Sequence, residues 1–253
     1  MSTIYQPKGR AGEYSKWALN LYGGCGHGCR YCYAPTVRNL KPEEFHSNIY
    51  PYPNILRRLE IDCNRYRAKI STPIMLCFTS DPYQPADVEF RITRQAIELL
   101  KRYGFRVCIL TKGGLRATRD LDLLQAGKDV MACTLTFTDP VRSSKWEPHA
   151  APPEERFELL RKAKEEGLST WASLEPVIDP RQSLEIIRRT HEYVDLYKVG
   201  TWNYDARSGK IDWHTFAAAV IDTLAGLGCN WYIKNDLARY LPTGVPQRSG
   251  EQV

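Results

Sequence analysis

Long apolar runs are missing from this 253-residue sequence, and no stretch approaches the roughly 20 residues that a membrane-crossing helix needs. The first ten residues, Met1-Ser-Thr-Ile-Tyr-Gln-Pro-Lys-Gly-Arg10, likewise lack the apolar core of a secretion signal. The expectation is a cytoplasmic protein with no membrane partner. Internal repeats and low-complexity tracts are absent too. A single domain over residues 1–253 follows, with a short N-terminal extension (1–16) and a loose C-terminal tail (242–253). Neither sign of charge dominates: 35 Lys and Arg stand against 29 Asp and Glu, a net +6 that permits a nucleic-acid partner without demanding one.

Cysteine, by contrast, is well represented, with eight in the chain. In a reducing compartment metal binding or burial is a better use for them than disulfides. Three sit in one short loop, Cys25-x3-Cys29-x2-Cys32, within Asn20-Leu-Tyr-Gly-Gly-Cys-Gly-His-Gly-Cys-Arg-Tyr-Cys-Tyr33. A cubane iron–sulfur cluster takes four thiolates, so three leave one iron open. A structural zinc site also needs a fourth ligand, for which only His27, inside the same loop, and the distant Cys63 are available. The count favours a reactive cluster over a closed staple. Cys63, Cys77, Cys108, Cys133 and Cys229 form no second closely spaced pair and read as small core hydrophobes.

Around this loop the apolar pattern alternates between strand and helix. Trp17, Leu19 and Leu21 suggest a strand running into the cysteines. Further strands are expected over Pro73–Asp81, Phe105–Lys112, Val130–Thr136, Leu168–Glu175 and Asp195–Val199, and helices over Asn54–Arg67, Arg91–Arg102, Asp120–Ala126, Glu154–Glu166, Gln182–Tyr193 and Trp213–Leu227. Six strand–helix units in a row call for parallel strands with right-handed crossovers. The fold class expected is therefore α/β, a partial (β/α)6 TIM-like barrel with its helices outside. Chemistry in such barrels belongs at the C-terminal strand ends. Those ends carry the cysteine loop, Ser80, Asp81, Lys112, Thr134, Thr136, Glu175 and Lys198.

The cysteine spacing, with Tyr31 just before the last cysteine, resembles the radical S-adenosylmethionine (SAM) superfamily. Longer segments resemble its spore photoproduct lyase-like group, the DNA repair photolyases: Leu21–Tyr33, Thr79-Ser-Asp-Pro-Tyr-Gln-Pro85, Leu110-Thr-Lys112 with Arg119–Leu124, and Glu147–Arg156. This resemblance implies that Cys25, Cys29 and Cys32 hold a [4Fe-4S] cluster whose open iron is chelated by SAM. It also implies reductive cleavage of SAM to a 5′-deoxyadenosyl radical that abstracts hydrogen from a nucleobase or nucleic acid, or alternatively from a peptide, protein or small molecule. A flavodoxin or ferredoxin-type electron donor is implied as partner. Carried over by position, Tyr31 resembles the residue beside the adenine, Ser80 and Asp81 those meeting the amino group, Lys112 and Arg156 carboxylate partners, and Thr134 a ribose contact.

Spore photoproduct lyases use a cysteine on the second strand as a hydrogen donor, and Cys77 lies in that region. Counting pleat alternation back from an inward Ser80, however, turns Cys77 outward. The same parity sends Cys133 outward and Cys108 inward with Lys112. His27 reads as a loop-shaping residue, His191 as a surface histidine, Tyr33 and Tyr83 as packing residues, and Glu147 and Glu175 as cap or ion-pair residues. Lys101-Arg102 and Arg188-Arg189 read as solvated helix faces. A non-catalytic zinc or iron–sulfur module is the remaining alternative.

Overall fold

The computed structural model describes residues 2–249. Seven strands, β1 Trp17–Leu19, β2 Ile74–Leu76, β3 Val107–Thr111, β4 Val130–Thr134, β5 Ser169–Leu174, β6 Leu196–Val199 and β7 Asn230–Ile233, form one sheet in sequential order with every pair parallel. The helices in chain order are α1 Ala34–Arg38, α2 Pro42–Ser47, α3 Ile55–Tyr66, α4 Asp87–Phe90, α5 Ile92–Arg102, α6 Pro140–Trp146, α7 Pro153–Glu165, α8 Pro180–Thr190, α9 Trp213–Gly226 and α10 Asn235–Ala238. The result is a partial barrel of seven strands where the sequence led us to six. The added β7, Asn-Trp-Tyr-Ile, has an exposed first residue and is too short to announce itself by alternation.

Local chemistry explains the main boundaries. Helix α5 buries Thr93, Ala96, Ile97, Leu99 and Leu100 and ends on Lys101 and Arg102, whose charges suit the negative end of its dipole. Helix α7 opens on Pro153 with Glu154 and Glu155 in its first turn. Asp139, Asp179 and Asp212 cap α6, α8 and α9 through backbone N–H groups. The helix expected at Asp120–Ala126 is instead a 3-10 helix over Gly114–Leu123 that follows Gly113 and stops where Leu124 turns extended.

Register fixes which residues face the barrel interior. Ala18, Met75, Cys108, Val130, Ala132, Trp171, Leu196 and Tyr232 form an inner apolar plug, while Leu19, Leu76, Ile109, Cys133, Leu174 and Val199 pack outward against the helices. Each fully buried aliphatic side chain contributes about 1.5–3 kcal/mol. Above the plug, Thr134 pairs with Ser173 and Ser173 with Lys198, so polar residues begin at one level around the barrel.

Strand β2 is shorter than the expected Pro73–Asp81 because Asn20 intervenes. Its Oδ1 accepts the N–H groups of Phe78 (2.9 Å) and Thr79 (3.0 Å), which takes both donors from the ladder. Alternation counted back from Ser80 therefore does not reach Cys77. Met75 faces in and Leu76 out, and both Cys77 and Phe78 line the cavity above the plug. Cys77 packs with Leu19 and Leu76 in the outer core and also borders the cavity.

Segments near both limits of the described residues are fastened to the sheet. Tyr5 pairs antiparallel with Ala18 on the free edge of β1, with both hydrogen bonds 2.9 Å. From there the N-terminal segment crosses the seam between β1 and β7: Glu13 accepts from Tyr232 Oη (2.9 Å) and Asn235 N (2.8 Å), and Lys198 Nζ donates to the Tyr14 carbonyl (2.9 Å). The segment after Pro242, expected to be loose, pairs along β7 through Ile233 N to Gln247 O (2.8 Å) and Ser249 N to Trp231 O (3.0 Å).

Candidate active site

At the C-terminal ends of the strands lies a cavity open to solvent, about 1210 Å³ when the open space at its mouth is included. Cys25, Cys29 and Cys32 line it together with Tyr31, Cys77, Ser80, Asp81, Lys112 and Thr134. The loop that delivers the thiols is held from several sides. Cys25 N donates to Phe45 O (3.3 Å), Gly26 N to Gln84 Oε1 (2.7 Å) and Arg30 N to Trp146 O (2.8 Å), while Gln84 Nε2 returns a bond to Gly24 O (3.1 Å). Glycine is required at two points. Gly28 sits at φ +64°, and a Cβ on Gly24 would lie 2.5 Å from the Asn48 carbonyl oxygen.

Burial pushes all three thiols up to about 12, so near neutrality they are protonated and any metal they bind displaces their protons. Among the described residues no three His, Cys, Asp or Glu side chains converge as ligands of a single metal ion. The three sulfurs share a cavity wall instead.

Asp81 is largely committed to the scaffold. Oδ1 accepts Tyr83 N (2.8 Å) and Thr111 Oγ1 (2.6 Å), and Oδ2 accepts Lys112 N (2.6 Å), which ties the β2 loop to the end of β3. His27 Nδ1 stands 3.5 Å from Asp81 and its Nε2 is 3.1 Å from Arg116 Nη2. Burial drops the His27 pKa to about 4, so it is neutral and bridges the loop to its surroundings.

Other lining groups have no such commitments. Ser80 Oγ and Thr79 Oγ1 are buried without a hydrogen-bond partner. Among the described residues the Lys112 ammonium has no hydrogen-bond or ion-pair partner, and lies 5.8 Å above the Tyr31 ring. Burial disfavours its charge, yet Cys29, Glu147 and Asp81 outweigh that and hold its pKa above the ordinary lysine value.

Arg156, expected to face a ligand carboxylate, does not line the cavity. Its Nη2 pairs with Glu147 Oε2 (2.6 Å), Nε donates to Ala151 O (2.8 Å) and Nη1 to Thr134 O (3.1 Å). Glu147 in turn accepts the Tyr31 hydroxyl. Thr136 stands behind the lining, 3.3 Å from Tyr31 Oη. The sequence reading placed Glu175 at this mouth but missed the rest of the opposite wall: Tyr14, Ser173, Asn203, Tyr204 and Lys234. There Glu175 accepts Tyr14 Oη (2.6 Å), Asn203 Nδ2 (3.0 Å) and the Lys234 ammonium. Lys198 lies beneath this wall rather than in the lining.

Comparisons with known proteins bear on this geometry. Residues 19–194 match the sequence model of the radical SAM superfamily, whose members use a [4Fe-4S] cluster and SAM. An uncharacterized protein of Acidianus two-tailed virus is 29% identical over 199 residues, which are 70% of this chain and 61% of that protein. An uncharacterized protein of Mycobacterium tuberculosis is 30% identical over 171 residues, 64% of this chain and 50% of its own length. The chain thus spans about half to three fifths of these curated relatives. Among solved structures, SuiB of Streptococcus suis bound to S-adenosylmethionine superimposes with a TM-score of 0.66 at 13% identity, covering 89% of this chain and 52% of SuiB. That likeness concerns the fold.

Proposed function

This chain belongs to the radical SAM superfamily, and on that footing we propose that Cys25, Cys29 and Cys32 bind a [4Fe-4S] cluster whose fourth iron is reserved for SAM. When bound and reduced by a flavodoxin or ferredoxin-type donor, cluster and SAM supply a 5′-deoxyadenosyl radical for hydrogen abstraction. The observation that carries this reading is the pairing, in one cavity, of three thiols with polar groups that lack protein partners: Ser80 Oγ, Thr79 Oγ1 and the Lys112 ammonium. A buried hydroxyl without a partner costs about 1–3 kcal/mol, so a fold that keeps two of them beside an unpaired cation leaves room for a polar, zwitterionic ligand.

In this reading the residues hold and exclude; they do little chemistry themselves. Lys112 attracts the ligand carboxylate, while Ser80, with Asp81 behind it, takes the amino group. Tyr31 offers an aromatic face and Thr134 a hydroxyl for the ribose. The finer reading, close to the spore photoproduct lyases, gives the enzyme a nucleobase within a nucleic acid. Aromatic lining at Tyr14, Tyr33, Phe78 and Tyr204 supports it, since bases stack on such rings. Cys77 is then the candidate hydrogen donor: its S–H bond breaks as the substrate C–H forms, and the unpaired electron passes to sulfur.

The test is anaerobic reconstitution followed by SAM and a strong reductant, with 5′-deoxyadenosine as the readout. Its formation is expected, and its absence from protein carrying an intact cluster overturns the proposal. Affinity for DNA or RNA that falls steeply with salt supports the nucleic-acid substrate. Salt-insensitive or absent binding shifts the assignment to a peptide, protein or small molecule.

A further inference from the structure

Three of the proposed cofactor-facing residues, Tyr31, Lys112 and Thr134, come from separate parts of the chain, yet one buried ion pair is joined to all of them. Glu147 is 1% exposed and Arg156 is 1% exposed, and neither lines the cavity. Glu147 accepts the Tyr31 hydroxyl, Arg156 Nη2 (2.6 Å) and Ser143 Oγ (3.2 Å). Arg156 reaches onward to the Thr134 carbonyl at the end of β4 (3.1 Å) and to the Ala151 carbonyl (2.8 Å). The Ala151 N–H in turn donates to the Lys112 carbonyl (2.9 Å), so the backbone that carries Lys112 is tied to the same hub.

Stability alone gives little reason for such a pair. A buried ion pair is often matched or exceeded in stability by apolar residues of similar volume. What the charged pair supplies and an apolar one could not is direction. Its fork of donors and acceptors fixes a phenol, a strand end and a loop carbonyl at set distances. Among the described residues Tyr31 has no other side-chain hydrogen-bond partner but Thr136, at 3.3 Å, so without Glu147 its hydroxyl loses its closer orienting hydrogen bond.

We propose that Glu147, backed by Arg156, is a positioning residue for SAM: it acts through Tyr31 to hold the aromatic wall beside the cysteine loop in register with Lys112 and Thr134. Neither residue touches the cofactor. The proposal rests on the reading above that Tyr31 faces SAM, so its test separates the two.

Glu147→Gln keeps the size of the side chain and removes its charge. The protein is reconstituted and its iron and sulfide are measured, and SAM affinity is then determined by equilibrium dialysis in the native and Tyr31→Phe backgrounds. Cluster loading is expected to stay unchanged. SAM affinity is expected to fall about 10-fold when Tyr31 is present, and by less than about twofold in the Tyr31→Phe background, because the two residues act as one unit. In the apoprotein, NMR of ¹³C-labelled tyrosine is expected to report faster Tyr31 ring flips in Glu147→Gln. Should that variant fold poorly, the double substitution Glu147→Gln with Arg156→Met removes both charges, and the same SAM loss is expected of it.

Equal losses of SAM affinity in both backgrounds, or no loss at all, overturn the positioning role. Wild-type protein that loads its cluster yet binds no SAM overturns the reading of the cavity itself, and the positioning role with it. Unchanged ring dynamics alongside weakened SAM binding also overturn the role, since the effect would not pass through Tyr31.

Discussion

The two walls of the cavity are built on opposite terms. The wall formed by β5, β6 and β7 is closed on itself: Glu175 has Tyr14, Asn203 and Lys234, and Lys198 beneath it has the Tyr14 carbonyl. The cysteine wall is left open: it has three thiols whose burial favours the protonated form and, among the described residues, two unpartnered hydroxyls and an ammonium that rests on an aromatic face. A wall whose groups satisfy one another contributes to folding, whereas one whose groups lack partners is arranged for something that binds. Substitutions on the first should therefore register as stability, and those on the second as affinity.

The sharpest way to break this contrast is Cys29→Ala. Complete loss of bound iron and of the cluster's visible absorbance is expected, with the fold kept as judged by far-ultraviolet circular dichroism. A variant that retains its full cluster would remove Cys29 from the ligand set. On the closed wall, Lys234→Met leaves Glu175 without its cation in a mostly buried site, and about 3 kcal/mol of stability should disappear in urea unfolding. An effect on SAM affinity larger than on stability would mean that this wall too is a ligand surface.

Lys198 sharpens the comparison through pH. Burial lowers its pKa from 10.5 to about 8 in the folded protein, so the native state releases this proton before the unfolded chain does. Its contribution to stability is therefore fully present above about pH 10.5 and is lost as pH falls through about 8. Over that window the wild type should gain up to about 3 kcal/mol relative to Lys198→Met, measured as the difference between their unfolding free energies at each pH. A flat difference would contradict the assignment.

The smallest effect is expected from Lys112→Met. SAM affinity should weaken about 10-fold while unfolding free energy shifts by less than about 1 kcal/mol, because no protein ion pair is broken. A large loss of stability would move Lys112 to the self-satisfied class.

How far the sequence reached depended on whether the controlling contact was local. Cysteine spacing and polar strand ends are local signals, and Cys25, Cys29, Cys32, Ser80, Asp81, Lys112 and Thr134 do line one cavity. Cys77 packs in the outer core yet also borders the cavity, a double placement that pleat alternation did not foresee, because Asn20, 57 positions earlier, draws the N–H groups of Phe78 and Thr79 out of the β2 ladder. Arg156 was assigned to a ligand carboxylate through the family resemblance, and the carboxylate it holds is that of Glu147. The wall at Tyr14 and Lys234 joins the two ends of the chain, a meeting that periodicity along the sequence does not encode.

An open barrel has two outer strands, and each is already occupied: Tyr5 lies along β1, and residues 247–249 lie along β7. Unpaired strand backbone is a template onto which another chain can add. Trimming the protein before residue 242, or removing the first five residues, would bare one such template. Shortened versions should then self-associate with rising concentration even where the cavity is untouched. The two stretches thus cover backbone that β1 and β7 would otherwise expose.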